Sequence, residues 1–468
     1  MIFSKEEVLK VTGGKLWRGK PGGGFTGVAL DSRQIGPGEL FFPLAGENFN
    51  GHDFIVNALQ GGAAGSLLEE AWLPSFAAGD FPAGKTIIVV ENTLLSLQKL
   101  AAYHRAKFSL PVLAVTGSNG KTTTKDFIAS VLSTRYNVLK TEGNLNNHLG
   151  LPLMLLRFKK EHEVAVLELG MSGPGEIALL TDLCRPTKGV ITNIGEAHLG
   201  FLGSRENIAW AKGELLAGLN SRGKAFLNGD DPFLVQMGEK FAGEVFYYGF
   251  TAGFGIGLQA LGYTPTARGC SFEVALPGGV RDNFAIPLPG KHNVYNALAA
   301  LAVGLDFSLT NEQIKKGLAT CIFSAMRMEK TLTQKGLWVI NDAYNASPTS
   351  MRYALQSLRE WAPDRPKIAV LGDMYELGPQ AGELHCAVGR YLADLGIDYL
   401  LTVGKLAASI AHGACEAGMV PENIFMLGTP EEALSCLHEL ARPGFYILIK
   451  GSRAMQLEKI AEELINRY

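Results

Sequence analysis

Several absences bound what this chain can be. Its six cysteines (Cys184, Cys270, Cys321, Cys386, Cys415 and Cys436) are scattered over 468 residues, and no two form a CxxC pair. That excludes a thiolate zinc ribbon and a disulfide framework, and it suits a reducing compartment. Long charge runs are missing too. The 43 basic and 45 acidic residues leave a formal charge of −2, and no block of five like charges occurs. Such a chain offers no broad field for nucleic acid or an acidic membrane, although a few local groups suffice for a small anion. No apolar stretch approaches the ~20 residues needed to cross a bilayer; Ala297–Val303 is among the longest. The opening MIFSKEEVLK is charged by its fifth residue and does not read as a secretory leader. These absences predict a cytoplasmic protein with no membrane insertion and no nucleic-acid partner; a monomer is expected.

Glycine, in contrast, is abundant. The 56 glycines of 468 residues stand well above the ~7% usual frequency. Without proline enrichment or a repeat, they point to tight turns and close backbone approaches. Length alone suggests about three domains, because a single core rarely grows past ~250–300 residues. Residues 1–92 read as a small α/β unit with a helix over Lys5–Thr12, a strand–turn–strand over Asp31–Gly46 and a strand at Thr86–Val90. Leu94–Phe108 reads as a helix, and Pro111 opens a new pattern. Val164–Gly170 and Gly189–Gly195 are short, largely apolar strands separated by helical stretches, the mark of a parallel sheet buried on both faces. Gly290–Leu305 reads as a buried helix. The alternation restarts near residue 327, with strands near 337–341, 367–371, 398–403 and 445–449. The expected architecture is therefore α/β in three domains: a small N-terminal domain (1–92), a central parallel-sheet domain (93–325) and a C-terminal Rossmann-like doubly wound domain (326–468).

The strongest chemical signal is Thr116-Gly117-Ser118-Asn119-Gly120-Lys121-Thr122-Thr123, set between an apolar strand and a helix. Glycines let backbone amides turn toward a polyphosphate, and a helix N-terminus adds open donors and partial positive charge. Lys121 would reach the terminal phosphates and the Thr122 hydroxyl a Mg²⁺ ion. The longer G-x-x-x-x-G-K-[ST] form wants glycine where this chain has Val115, so the match is to a shorter G-x-x-G-K-T loop. Glu168 and His198 each follow an apolar strand, at the strand ends where ligands gather in open parallel sheets. From spacing alone, Glu168 also reads as a solvated loop acid and His198 as a structural histidine. Lys212, on a helix with apolar neighbours, reads as a surface lysine. Asp31-Ser32-Arg33 reads as a turn, and Ser347-Pro348 as a helix start.

Taken together, TGSNGKTTTKD (116–126), GNLNNHLGLPL (143–153), LELGMSGPGEI (167–177), TNIGEAHL (192–199), AKGE (211–214), GKHNVYNALAA (290–300), SAMRME (324–329), NDAYNASPTSM (341–351), LGDMYELG (371–378) and IKGSRAMQLE (449–458) resemble the Mur ligases. These are the ATP-dependent amide-bond ligases of peptidoglycan precursor synthesis. DSRQIGPGELFFPLAGENFNGHDF (31–54) extends the resemblance into the N-terminal domain, so it covers nearly the whole chain. Within the family, GNLNNHLGLPL, ELGMSGPGEI, NDAYNASPTS and GDMYELG resemble the member that joins D-alanyl-D-alanine to UDP-N-acetylmuramoyl-tripeptide. NDAYNASPTS stands where the sister adding the third amino acid usually carries a pattern closer to V-D-Y-A-H-T-P. That sister, a folylpolyglutamate-type ligase, and a catalytically inactive nucleotide-binding regulator are the alternatives.

The resemblance implies roles. The loop Gly117–Thr123 would bind ATP, with Lys121 on its terminal phosphates and Thr122 on one of two Mg²⁺ ions. Glu168 and His198 would hold the second, supported by Lys212, which some relatives carry as a carbamate. Asn293 and Asn296 would lie near adenine. Arg327 and Asp342 would meet phosphate and ribose. Asp31, Ser32 and Arg33, with the Gly46–His52 loop, would face the uridine nucleotide. Asn144, Asn146 and Asn147 would face the muramoyl peptide, and Asn345, Ser347 and Lys450 would complete the site or hold the dipeptide.

Overall fold

The computed structural model describes residues 2–46, 49–251 and 255–467. The chain forms two compact units. The first comprises residues up to Leu110 with Asn144–His162 and Asp182–Arg185. Its five-stranded sheet runs Lys15–Arg18, Thr86–Val90, Gly65–Glu69, Leu40–Phe41, Val28–Ala29. The first pair is antiparallel and the others parallel. Phe41, Ile55, Leu59, Leu68 and Ile87 form its core. The helix Lys5–Thr12 falls where the sequence places it. Ser4 accepts from the Glu7 amide and the Glu7 carboxylate accepts from the Ser4 amide, closing a capping box. The strand–turn–strand expected over Asp31–Gly46 shifts. Its strands are Val28–Ala29 and Leu40–Phe41, and they run parallel, so Asp31 to Glu39 form a crossover rather than a hairpin.

The second unit carries two sheets. The larger has nine strands in the order Arg281–Ile286, Gly269–Ala275, Ile256–Thr266, Glu244–Gly249, Lys224–Asn228, Lys188–Ile191, Val112–Thr116, Val164–Glu168, Val138–Lys140. Three strands at one end pair antiparallel; the rest are parallel. Val112–Thr116 lies between Val164–Glu168 and Lys188–Ile191, and all five of its residues are buried. The chain leaves it toward one edge and returns on both sides, which makes its carboxyl end the switch point of an open α/β sheet. The helix Lys291–Asp306 packs on the helix Lys121–Leu132. Ala297, Ala299, Ala300 and Ala302 are buried along the first of these helices, while Phe127, Ile128, Val131, Leu298 and Leu301 fill the core. At ~1.5–3 kcal/mol for each large side chain removed from water, this packing holds the start of the helix at Lys121 in place.

The smaller sheet has six strands in the order Glu329–Leu332, Trp338–Asn341, Tyr446–Lys450, Lys367–Gly372, Tyr399–Val403, Ile424–Leu427. It is parallel except for the first pair. Four of these strands lie where the restarted alternation puts them. The expected helix near 453–466 is instead a short turn at Arg453–Met455 followed by a helix at Glu458–Arg467. No described helix is long and apolar enough to cross a membrane.

Candidate functional site

The loop 117–120 leaves the buried strand Val112–Thr116 and enters the helix Lys121–Leu132. Gly117 (φ +142°) and Gly120 (φ +79°) both adopt backbone that L side chains avoid. A Cβ at Gly120 would lie 2.5 Å from Asn296 Oδ1, and one at Gly117 would collide with the Thr192 hydroxyl. Glycine is required at both by conformation and by space. The N-cap is Gly120, with no side-chain cap, so the first amides of the helix stand open. The loop is stitched to the end of the neighbouring strand. Asn119 N–H donates to Asn193 Oδ1 (3.1 Å), the Thr192 hydroxyl and the Asn193 amide donate to Asn119 O (2.6 and 2.9 Å), and Gly195 N–H donates to Ser118 Oγ (2.8 Å). Lys121 Nζ folds over the loop and donates to Gly117 O (2.9 Å) and Ser118 O (3.3 Å). Burial pushes its pKa down, the nearby Glu168 carboxylate partly offsets this, and Arg327 adds to the lowering.

Beneath the loop lie Glu168 and Lys212. Glu168 ends its strand, 2% exposed, and its amide donates to the Thr141 hydroxyl (2.9 Å). Lys212 is 1% exposed, so the surface reading drawn from its spacing is wrong. Its helix (Arg205–Gly218) turns it inward among Ile208, Ala211 and Leu215. Burial, with the charge of Lys121, pushes its pKa well below the usual lysine value. Among the described residues no cluster of three or more His, Cys, Asp or Glu side chains forms a preassembled metal cage. The available donors are the Thr122 hydroxyl at the helix N-terminus and the Glu168 carboxylate, with His198 lining the cavity above. A hard cation that keeps several waters and shares phosphate oxygens suits so sparse, oxygen-rich a set.

The opposite wall comes from the smaller sheet. Arg327 lies over the Tyr344 ring (4.0 Å to its centroid) and points Nη2 at the Thr122 hydroxyl (3.4 Å). Lys450 and Asp342 form a buried ion pair at 2.6 Å. Lys450 also donates to Asn345 O (2.9 Å), and Met328 N–H donates to Asp342 Oδ1 (3.1 Å). Burial lowers the Lys450 pKa and Asp342 opposes the shift. Ser347 caps the helix Pro348–Trp361 and donates to Asn119 Oδ1 (3.0 Å), joining this wall to the loop. The helix-start reading of Ser347 therefore holds, and the side chain does more besides. Between the walls is a cavity of about 440 Å³.

Ser118, Asn119, Gly120, Lys121, Thr122, Thr123, His198, Asn293, Asn296, Arg327, Asp342, Asn345, Ser347 and Lys450 all line this cavity. Thr116, Gly117, Glu168 and Lys212 do not line it; Thr116, Glu168 and Lys212 are buried. Asn293 and Asn296 are buried as well, and they brace the loop: Asn296 accepts from Thr124 Oγ1 (3.1 Å) and donates to Asn293 Oδ1 (3.2 Å). Asp31, Ser32, Arg33, Asn144, Asn146 and Asn147 belong to the first unit. There Arg33 pairs with Asp31 (2.8 Å), which holds the Asp31 carboxyl down to about 2. Asn147 Oδ1 accepts from Gly150 N–H (2.8 Å). In the Gly46–His52 loop, Glu47 and Asn48 lie outside the described residues; His52 is buried and accepts from the Glu69 amide.

Among the cavity residues that escaped the sequence reading are His292, Tyr344, Tyr353 and Glu376. His292 stacks flat on Tyr353, with ring centroids 4.5 Å apart and planes within 4°, and burial takes its pKa down to about 3. Glu376 sits 2.6 Å from His198 Nδ1, a contact that holds its carboxyl below the usual range. His292, Tyr344 and Glu376 stand inside quoted motifs and Tyr353 lies two residues past one, but only the fold shows which way each side chain turns.

Three family profiles match the chain: "Mur ligase family, catalytic domain" over residues 24–105, "Mur ligase middle domain" over 115–304, and "Mur ligase, glutamate ligase domain" over 326–453. The chain is 42% identical over 443 residues to UDP-N-acetylmuramoyl-tripeptide--D-alanyl-D-alanine ligase of Bacillus subtilis strain 168, covering 94% of this chain and 93% of that one. Among solved structures it resembles MurF from Acinetobacter baumannii (TM-score 0.87, 31% identity, 99% of each chain covered). It also resembles the MurF ligase from Thermotoga maritima in complex with ADP (TM-score 0.81, 28% identity, 94% of this chain and 97% of that one). The chain belongs to the Mur ligase family.

Proposed function

We propose that this chain is an ATP-dependent carbon–nitrogen ligase of peptidoglycan precursor synthesis. It joins D-alanyl-D-alanine to UDP-N-acetylmuramoyl-tripeptide and releases ADP, phosphate and UDP-N-acetylmuramoyl-pentapeptide. The observation that carries this reading is the single cavity in which a strand–loop–helix polyphosphate cradle faces Arg327, Asp342 and Lys450. The 42% identity to a ligase of that name over nearly the whole chain supports the choice of substrates.

A carboxylate is a poor electrophile. Its oxygen attacks the γ-phosphorus of ATP, ADP leaves, and an acyl phosphate results. The dipeptide amine, having lost a proton, then attacks the carbonyl carbon, and phosphate departs with one former carboxylate oxygen. Positioning and charge neutralisation supply most of the catalysis in phosphoryl transfer. The open amides of the Lys121 helix and the Lys121 ammonium neutralise the terminal phosphates from one side, and Arg327 does so from the other. Asp342 retains lone pairs for ribose hydroxyls, and Asn293 and Asn296 sit on the adenine side. Mg²⁺, when bound, offsets phosphate charge; Thr122, Glu168 and His198 would hold two ions. Burial lowers the pKa of Lys212 and so favours its neutral amine, the form that combines with carbon dioxide; a carbamate there would add an oxygen ligand.

The working division follows the expected domains. Residues 1–92, with Asp31, Ser32 and Arg33, anchor the uridine nucleotide. Residues 93–325 hold ATP, with Asn144, Asn146 and Asn147 toward the peptide. Residues 326–468 close the site and hold the dipeptide through Asn345, Ser347 and Lys450. Closure shields the acyl phosphate from water. The chain works as a cytoplasmic monomer.

The test is Mg²⁺-dependent ADP release with each substrate withheld in turn. Release that needs both the UDP-linked tripeptide and D-alanyl-D-alanine supports the reading. Release with a free amino acid in place of the dipeptide indicates the sister ligase, and release with a folate acceptor the folylpolyglutamate type. ATP binding without release under any acceptor indicates a non-catalytic regulator.

A further inference from the structure

The contact between the short helix Leu199–Leu202 and the turn at residues 376–378 is unusually close. Gly200 N–H donates to Glu376 O (2.7 Å). A Cβ on Gly200 would lie 2.8 Å from both Glu376 O and Gly378 N, and one on Gly378 would lie 3.1 Å from the Gly200 Cα. Here two backbones meet with no side chain between them. At the same place His198 Nδ1 lies 2.6 Å from Glu376 Oε2. His198 and Glu376 both adopt left-handed backbone (φ +66° each), which non-glycine residues rarely do unless their surroundings hold them there. Both line the cavity.

We propose that Glu376 is a positioning residue for His198. The carboxylate accepts from Nδ1–H, fixes the ring's tautomer and direction, and leaves the Nε2 lone pair for a cation on the phosphates. A histidine ligand is commonly oriented in this way by a carboxylate on its other nitrogen. The residue supplying that carboxylate follows the strand Lys367–Gly372 of the smaller sheet, whereas His198 follows a strand of the larger one. The orienting contact therefore exists only when the two sheets are seated together, and seating becomes a condition for completing the cation site.

This inference rests on the cation role given to His198 above. The test uses the full chain with ADP and Mn²⁺, free Mn²⁺ being read by electron paramagnetic resonance, with thermal unfolding of the ligand-free proteins as a folding control. Wild type is expected to bind Mn²⁺ together with ADP; no ADP-dependent Mn²⁺ binding by wild type would overturn the cation role itself and this inference with it. With wild type binding, Glu376→Ala should weaken Mn²⁺ about 10–100-fold. Glu376→Gln, which keeps an acceptor oxygen, should recover part of that loss. His198→Ala combined with Glu376→Ala should be no weaker than His198→Ala alone. In the steady state, the Mg²⁺ concentration giving half-maximal rate should rise while the KM for ATP at saturating Mg²⁺ stays near wild type. Wild-type Mn²⁺ binding by both Glu376 variants, or additive losses in the double variant, would overturn the positioning role and leave the proposed function standing. Should Glu376→Ala fail to fold, the Gln variant and its pairing with His198→Ala carry the same comparison.

Discussion

The two walls of the cavity are built in different ways. One is a contiguous segment, Gly117–Thr123, whose geometry is set by two left-handed glycines and an open helix start. The other gathers Arg327, Asp342, Ser347, Glu376 and Lys450 from separate strand ends and turns of a different sheet. The contiguous wall carries its shape locally and offers backbone donors. The assembled wall depends on long-range pairs such as Asp342–Lys450 and His198–Glu376. The cradle for phosphate thus needs only its own segment, whereas the charges of the assembled wall reach the cavity only with the smaller sheet seated on the larger.

Breaking the contiguous wall should have the largest effect on chemistry. Lys121→Ala is expected to lower the rate of ADP release by on the order of 10²–10³-fold or more. Its unfolding profile should stay near wild type, because Lys121 bonds only to its own loop. Normal turnover would remove the loop from the mechanism. Breaking the assembled wall should instead cost stability. Asp342→Ala leaves Lys450 buried without its carboxylate, a change worth about 3–5 kcal/mol, read as an earlier chemical denaturation of the smaller sheet. Asp342→Ala combined with Lys450→Met should recover much of that loss.

A pH series sharpens the contrast between buried and open groups. His292 has its pKa pressed from the usual value down to about 3 by burial. Between pH 6.5 and about 3 the unfolded chain binds a proton that the folded residue resists, so its contribution to stability is present above that window and is lost as pH falls through it. At pH 5 the loss is about 2 kcal/mol. His292→Gln should flatten the dependence of the unfolding midpoint between pH 7.5 and pH 5. An unchanged slope would show that other groups carry it.

The smallest effect on stability is expected in the first unit. Asp31 and Arg33 pair with each other near the surface, and such pairs contribute little to folding. Asp31→Asn should leave the unfolding midpoint unchanged and raise the KM for the uridine-linked substrate. A lowered midpoint with unchanged KM would reverse that assignment.

Much of the fold could be read from sequence because its central strands are buried on both faces and so largely apolar, as along residues 164–167. The strand Ile424–Leu427 gave no such signal: it is a half-exposed edge strand without a clean apolar run. Of the three antiparallel strands from Ile256 to Ile286 only the hairpin turn near residues 277–283 was legible, since burial along the strands alternates with more exposed positions. In the site, the Gly117–Thr123 loop was legible because one segment contains its whole geometry. Lys212 was misread from spacing, because a lysine among apolar helix neighbours looks the same whether its helix faces water or a neighbouring strand. Glu376 and His292 were missed because their meaning lies in partners at His198 and Tyr353, 178 and 61 positions away in the chain.

The central claim is that the cavity activates a carboxylate with the γ-phosphoryl of ATP and passes it to an amine. It is tested most directly by labelling both terminal carboxylate oxygens of the tripeptide substrate with oxygen-18. After one turnover with ATP, Mg²⁺ and D-alanyl-D-alanine, one labelled oxygen is expected in the released phosphate and one in the new amide. Unlabelled phosphate would contradict it.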